Sequence, residues 1–305
     1  MNRRHRGVAS AVALGCLVGA SFAGAVPPAG ETFDGPGGKL YYEAKGAASG
    51  RPLVVVNGGP GLDHSHLLLF PAAWDGLARN RRVIFYDQRG TGRSIETAGA
   101  PNTLEANIAD LEGLRAHLGL ETMDLLGHSS GGYLVMAYAA RHASHVAHLV
   151  LEESVAPKPG ETLVLFGEVF PDTVERQEAL AFARTFGDKS AAEESRRLRR
   201  TMLFYSPEKR DAYIKLFDPR TFNPQVNAAL SSSMELDLTS EIRKFRMPVL
   251  VLTGRFDMAV APLTAYKTHR AIPGSRFVVF ERSGHLPFVE EPDAFVRTLE
   301  DFLGK

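Results

Sequence analysis

Five residues, Gly127-His128-Ser129-Ser130-Gly131, set a serine between two glycines in the pattern Gly-x-Ser-x-Gly. A mostly apolar run, Met123-Asp124-Leu125-Leu126, precedes them, and a helix-forming run over residues 133–140 follows. A serine on such a strand-to-helix turn is pushed clear of its sheet with the hydroxyl open for attack. The glycines leave room where Cβ atoms would collide. A serine hydroxyl becomes a good nucleophile only when a base takes its proton and a third group orients that base. Later segments supply both types in order: Asp257 in Gly254-Arg255-Phe256-Asp257, and His285 in Ser283-Gly284-His285. Attack on a carbonyl also needs donors for the oxyanion. The N–H of Ser130 is one candidate, and the N–H of Gly59, in Asn57-Gly58-Gly59-Pro60-Gly61, is the other. The chemistry is therefore acyl transfer. No metal set is expected. His64 and His66 have no second cluster to complete a site, and His142, His145 and His148 read as helix-end and loop residues.

Such groups must be brought together by elements far apart in the chain. Residues 39–44 read as a strand. Residues 52–57 and 82–87 are short apolar runs that end in glycine-rich loops, as strands buried on both faces do. Residues 102–120 predict a helix, with Asn102 as N-cap, Glu105 three residues on, and Leu104, Ile108, Leu111, Leu114 and Leu118 on one face. Strands follow at residues 148–151, 248–253 and 276–280, and a closing helix at 291–303 carries Phe295, Leu299 and Phe302 inward. Strands alternating with helices predict a mostly parallel sheet with right-handed crossovers. In such a sheet the loops at the carboxyl ends of the strands converge on one crevice. Residues 26–38 read as a Pro- and Gly-rich lead-in. Residues 156–245 break the rhythm: polar, helix-prone and without a buried strand, they predict a helical cap inserted between core segments 26–155 and 246–305.

The 305 residues are 44% hydrophobic and carry zero formal net charge. That balance gives a globular core and no basic face of the kind nucleic acid requires. The run Arg196-Arg197-Leu198-Arg199-Arg200 reads as a solvated helix face. Residues 1–25 predict a secretory signal peptide, with a basic start, a small apolar stretch and Ala23-Gly24-Ala25 as cleavage site. The one cysteine, Cys16, lies within it, so the exported chain would hold no disulfide. Export would place it in the periplasm or outside the cell, with no stable membrane association after cleavage.

The order Ser129, Asp257, His285 is that of α/β-hydrolases. Residues Asn57 to Gly61, with Asp87-Gln88-Arg89-Gly90-Thr91-Gly92-Arg93-Ser94, resemble the two signature loops of the prolyl aminopeptidase (proline iminopeptidase) family. The resemblance implies an α/β-hydrolase fold with a helical cap, a Ser129–Asp257–His285 triad, no cofactor, and release of an N-terminal residue from short peptides. Three features depart from the family pattern. Asn57 stands where the family has histidine, Ser130 stands where proline-specific members often carry tryptophan, and the cap does not align. The family holds the substrate amine with acidic cap groups. Here Glu152 and Glu153, after a sheet strand, and Glu235, with Asp237 at the return from the cap, are the candidate anchors. A carboxylesterase or lactonase for small esters would use the same triad without an acidic anchor. A binding protein on the same scaffold would commonly have lost a triad member, and all three are present. A serine at the elbow argues against dehalogenase or epoxide hydrolase chemistry.

Overall fold

The central strands form because their side chains are apolar on both faces. In a computed structural model, which describes residues 30–46, 50–185 and 187–304, nine strands build one sheet. The expected signal segment, Cys16 included, lies outside these residues. In chain order the strands are β1 (Glu31–Gly35), β2 (Gly38–Lys45), β3 (Leu53–Val56), β4 (Val83–Tyr86), β5 (Ile95–Glu96), β6 (Met123–His128), β7 (Val146–Glu152), β8 (Val249–Gly254) and β9 (Arg276–Phe280). They are arranged β1-β2-β4-β3-β6-β7-β8-β9, with β5 on β2. From β4 to β9 the pairing is parallel; β1, β2 and β5 pair antiparallel.

The alternation of strand side chains divides the core in two. Val54, Val56, Ile84 and Tyr86 join one apolar layer, under the helices Leu104–His117 and Ser130–Arg141. Leu53, Val55, Val83 and Phe85 join the other, under Ala72–Leu77 and Pro292–Leu303. Trp74 anchors the second layer against Phe85, Phe288 and Phe295, with ring centroids 5.2–5.7 Å away. Its indole N–H donates to the Leu67 carbonyl at 2.8 Å. Each such large side chain, fully buried, contributes about 1.5–3 kcal/mol.

The chain order creates the crevice. From β3 the chain passes to β4 on one side, then returns to place β6 on the other side of β3. Connections leave in opposite directions at that point and open a gap beyond the carboxyl ends of β3 and β6. The register pairs Val56 with Gly127, His128 with Glu152, Glu152 with Leu252, and Gly254 with Phe280. The segments after β3, β6, β7, β8 and β9 therefore emerge at one edge. Residues 157–245 hold helices, among them Pro171–Thr185, Lys189–Arg200, Pro207–Leu216 and Pro224–Ser233. Among the described residues no helix is long and apolar enough to cross a membrane.

Two local expectations need correction. The lead-in contains a strand, β1, which turns back through Pro36 and Gly37 to pair with β2. The early helix is capped by Thr103, whose hydroxyl accepts the Ala106 N–H, not by Asn102. Asn102 is engaged elsewhere: its amide donates to the Arg89 carbonyl and its oxygen accepts from Asn107.

Arg89 holds the second signature loop to that helix. Its guanidinium grips Asp110 with two bonds of 2.7 and 2.8 Å and donates to the Pro101 and Ala106 carbonyls at 2.9 Å. Both partners are buried. Removing one member of a buried pair strands the other charge. Arg89→Ala should therefore lose about 3–5 kcal/mol of stability in urea unfolding; a loss below about 1 kcal/mol would mean Asp110 finds other compensation.

Candidate active site

Ser129 sits where β6 gives way to the helix Ser130–Arg141, with φ 55° and ψ −122°. A side chain tolerates such a backbone only where neighbours over-determine it. They do so here. The Ser129 N–H donates to the Glu152 carbonyl at 2.9 Å, and the Ser129 carbonyl accepts from Gly132 at 3.0 Å and Val155 at 3.2 Å. The glycines are steric necessities. A Cβ on Gly131 would lie 2.3 Å from the Val56 carbonyl oxygen, and one on Gly58 would lie 2.4 Å from Ser129 Cβ. The loop after β3 is thus pressed against the elbow. Among the described residues, neither the Gly59 nor the Ser130 N–H donates to another backbone carbonyl.

Asp257, after β8, and His285, after β9, meet at 2.7 Å through Asp257 Oδ2 and His285 Nδ1. The other Asp257 oxygen accepts the Ala259 and Val260 N–H groups at 2.8 and 2.9 Å, which fixes the carboxylate. The His285 carbonyl lies 3.2 Å from His128 Nε2, and the two rings are 4.9 Å apart. His285 is thereby placed beside the residue preceding Ser129. No hydrogen bond joins the Ser129 hydroxyl to His285 among the described residues; in free enzymes such bonds are commonly long and tighten once substrate binds.

Three neighbouring histidines are excluded by their surroundings. His66 spends its Nδ1 on the Asp63 carbonyl at 2.6 Å, and burial lowers it to about 4. Burial also holds His128 well below the usual range. His64 has a carboxylate partner, Asp87, at 2.6 Å, but it is wholly enclosed. An oriented imidazole beside a serine on a strained turn, with two backbone donors nearby, is an arrangement for acyl transfer.

The model of the alpha/beta hydrolase fold matches residues 51–292 of this chain. The chain belongs to the α/β-hydrolase family. It is 32% identical over 294 residues to a proline iminopeptidase of Clostridium botulinum, covering 88% of this chain and 95% of that one. A proline iminopeptidase of Saccharolobus solfataricus is 30% identical over 276 residues, covering 86% and 87%. Among solved structures, a thermophilic esterase from Thermogutta terrifontis superimposes with a TM-score of 0.68 at 28% identity, covering 90% of this chain and 97% of that one.

Within this α/β-hydrolase the signature loops work as a scaffold. Asn57 hydrogen-bonds across the first loop and to the second. Its amide donates to the Leu62 carbonyl at 2.9 Å, and its carbonyl accepts from Gln88 at 2.9 Å. Asp87 accepts from the His64 ring and backbone and from the Arg93 N–H. Burial alone would push the His64 imidazole down. Hydrogen bonds and charge from Asp87 and Glu43 override it and raise His64 to about 9.

The candidate amine anchors are placed differently from the sequence reading. Glu152 and Glu153 lie under the crevice with no exposed surface, so neither presents a carboxylate to a ligand. Their backbones end β7 beside the elbow, and their side chains point into the protein. Glu235 is exposed on the link before the helix Thr239–Ile242, and Asp237 accepts the Thr239 N–H at the start of that helix. Among the described residues, two acid–histidine groups have metal-like spacing. One is Glu153–Asp257–His285, within the site. The other is Glu112–His142–His145, where Arg115 already holds Glu112 with bonds of 2.6 and 3.0 Å.

Sequence reasoning missed Glu290. It accepts the cap N–H groups of Tyr205 and Ser206 on one oxygen, at 3.0 and 2.7 Å, and the Gly284 N–H on the other at 2.7 Å. The Leu203 carbonyl of the cap accepts the His285 N–H at 2.8 Å. The spacing from His285 to Glu290 was visible, but a surface acid in the closing helix looks the same.

Two outcomes follow from this geometry. Ser129→Gly should remove the hydroxyl and relieve backbone strain, so the variant should unfold at equal or higher temperature, with a gain of up to about 1–3 kcal/mol; a clear loss of stability would show the turn is unstrained. For His64, a folded value raised above its usual 6.5 gives stability that is complete below that pH and is lost as pH rises through about 9. His64→Gln should flatten the alkaline fall in unfolding free energy; an unchanged slope would assign the fall to other groups.

Proposed function

We propose that this α/β-hydrolase is an exported serine hydrolase that releases an N-terminal residue, proline or another small one, from short peptides through an acyl-enzyme. Ser129 attacks the scissile carbonyl. His285 takes its proton and returns it to the leaving amine. Asp257 fixes the imidazole tautomer and steadies the imidazolium. The Gly59 and Ser130 N–H groups hold the oxyanion, each donor being worth about 10²–10³ in rate. Water enters by the same route and frees the product.

The observation that carries the reading is the His285–Asp257 pair at 2.7 Å beside the Ser129 turn. The peptide substrate is supported by likeness to the proline iminopeptidases over most of the chain. Export is supported by the basic start, apolar stretch and Ala-x-Ala site of residues 1–25.

One observation favours a second reading, a carboxylesterase or lactonase for small esters. It is supported by likeness to the thermophilic esterase from Thermogutta terrifontis, at 28% identity and a TM-score of 0.68. Among the described residues, no carboxylate of the cap is buried. A cap without a buried acid suits an ester better than a free ammonium group.

Rates on proline p-nitroanilide and on p-nitrophenyl butyrate decide between the readings. The expected result is anilide turnover that disappears when the proline amine is blocked; ester turnover alone would establish the esterase. Ser129→Ala should lower either rate by more than about 100-fold with the fold intact, and a smaller loss would overturn the serine mechanism.

A further inference from the structure

The Asp257 carboxyl is not alone beneath His285. Glu153 follows β7 directly and has φ 49°, one of two non-glycine residues with positive φ among the described residues; the other is Ser129. That backbone turns its side chain under β8. One Glu153 oxygen accepts the Gly254 N–H at 2.6 Å, and the other lies 3.3 Å from the Thr253 hydroxyl. Glu153, Asp257 and His285 each offer a polar atom within 4.8 Å of the others. Glu153 and Asp257 are thus neighbouring buried carboxyls.

Ionised carboxylates only accept hydrogen bonds. Two of them buried this close repel each other, which favours a proton on one of them. The donors decide where it sits. Asp257 accepts from Ala259, Val260 and His285, three N–H groups that favour its charge. Glu153 accepts one N–H and faces Glu152, a further buried acid whose oxygens have no hydrogen-bond partner. Burial and the nearby Asp257 charge push Glu153 well above the usual carboxylate range. The titratable groups facing it are Asp257 and His285, from the segments after β8 and β9, and Glu152, which ends β7.

We propose that Glu153 is a second acid of the site: protonated, it positions Asp257 by donating to it, and with Asp257 gone it ionises and orients His285 itself. The inference rests on the Ser129–Asp257–His285 reading. It gives the acid position two carboxyls of which one carries charge. In the intact protein the Glu153 proton is never transferred to substrate; it remains between the two acids. With the Asp257 charge removed, the main force keeping Glu153 neutral, besides burial, is also removed.

The test compares Asp257→Ala with Asp257→Ala/Glu153→Gln on whichever reporter, proline p-nitroanilide or p-nitrophenyl butyrate, the intact protein hydrolyses. Asp257→Ala should keep a residual rate that climbs with pH as Glu153 ionises. The double variant should be slower by at least about tenfold at alkaline pH, and its rate should lack that climb. Equal rates and equal pH dependence in the two folded variants would overturn the proposal.

Stability supplies a readout that needs neither turnover nor the Asp257 variants to fold. A carboxyl raised on folding binds its proton in the native state, so its contribution falls as pH rises above about 4.3. The intact protein should lose stability relative to Glu153→Gln from about pH 5 upward; a flat difference would overturn the shared proton. Ser129→Ala in the same assay separates the two levels. If it remains active, the triad reading fails and takes this inference with it. If it is inactive, equality of the two Asp257 variants counts against Glu153 alone.

Discussion

The strained backbone at Ser129 is the constraint on which the site depends. Its left-handed φ is held by hydrogen bonds to β7 and by contact with the loop after β3. Both require β6 to lie between β3 and β7, so the whole strand order serves the turn. The same registers align the ends of β8 and β9, which carry Asp257 and His285. An apolar core of two layers, each closed over one face of the sheet, keeps these registers fixed.

Much of this was legible in the sequence, because the signals were local and strong. Uninterrupted apolar runs marked the buried strands, and the glycines about Ser129 marked a turn with no room for side chains. Asp257 and His285 were found because each follows a strand in a sheet whose loops must share an edge. What could not be read was the direction of side chains at strand ends. Glu152 and Glu153 are adjacent acids at the end of β7, and simple alternation allowed either to face the crevice. The positive φ at Glu153 and the register of β7 on β8 turn them beneath it instead. Lead-in strand β1 was hidden for a different reason: a short edge strand with exposed positions lacks the apolar run of a central one.

The polar interior was the other gap. Arg89, Asp110, His64 and Asp87 look like surface residues by type, and all four are buried. Their burial is tolerable because each charge has a partner and its remaining hydrogen-bonding groups are largely satisfied. A motif such as Asp-Gln-Arg-Gly-x-Gly-Arg-Ser therefore carries architecture rather than chemistry. Gln88 ties it to Asn57 and so to the glycine loop, Asp87 to His64, and Arg89 to the helix Leu104–His117.

The cap is wired into the histidine loop. Leu203 holds the His285 N–H, Glu290 bridges Gly284 to Tyr205 and Ser206, and the Tyr205 ring stacks on Phe256 at 4.5 Å, one residue from Asp257. Lid and base thus form one mechanical unit. A guest that forces the lid far enough to break these bonds also releases the loop that aims the imidazole. Cap position and imidazole aim therefore depend on the same few hydrogen bonds.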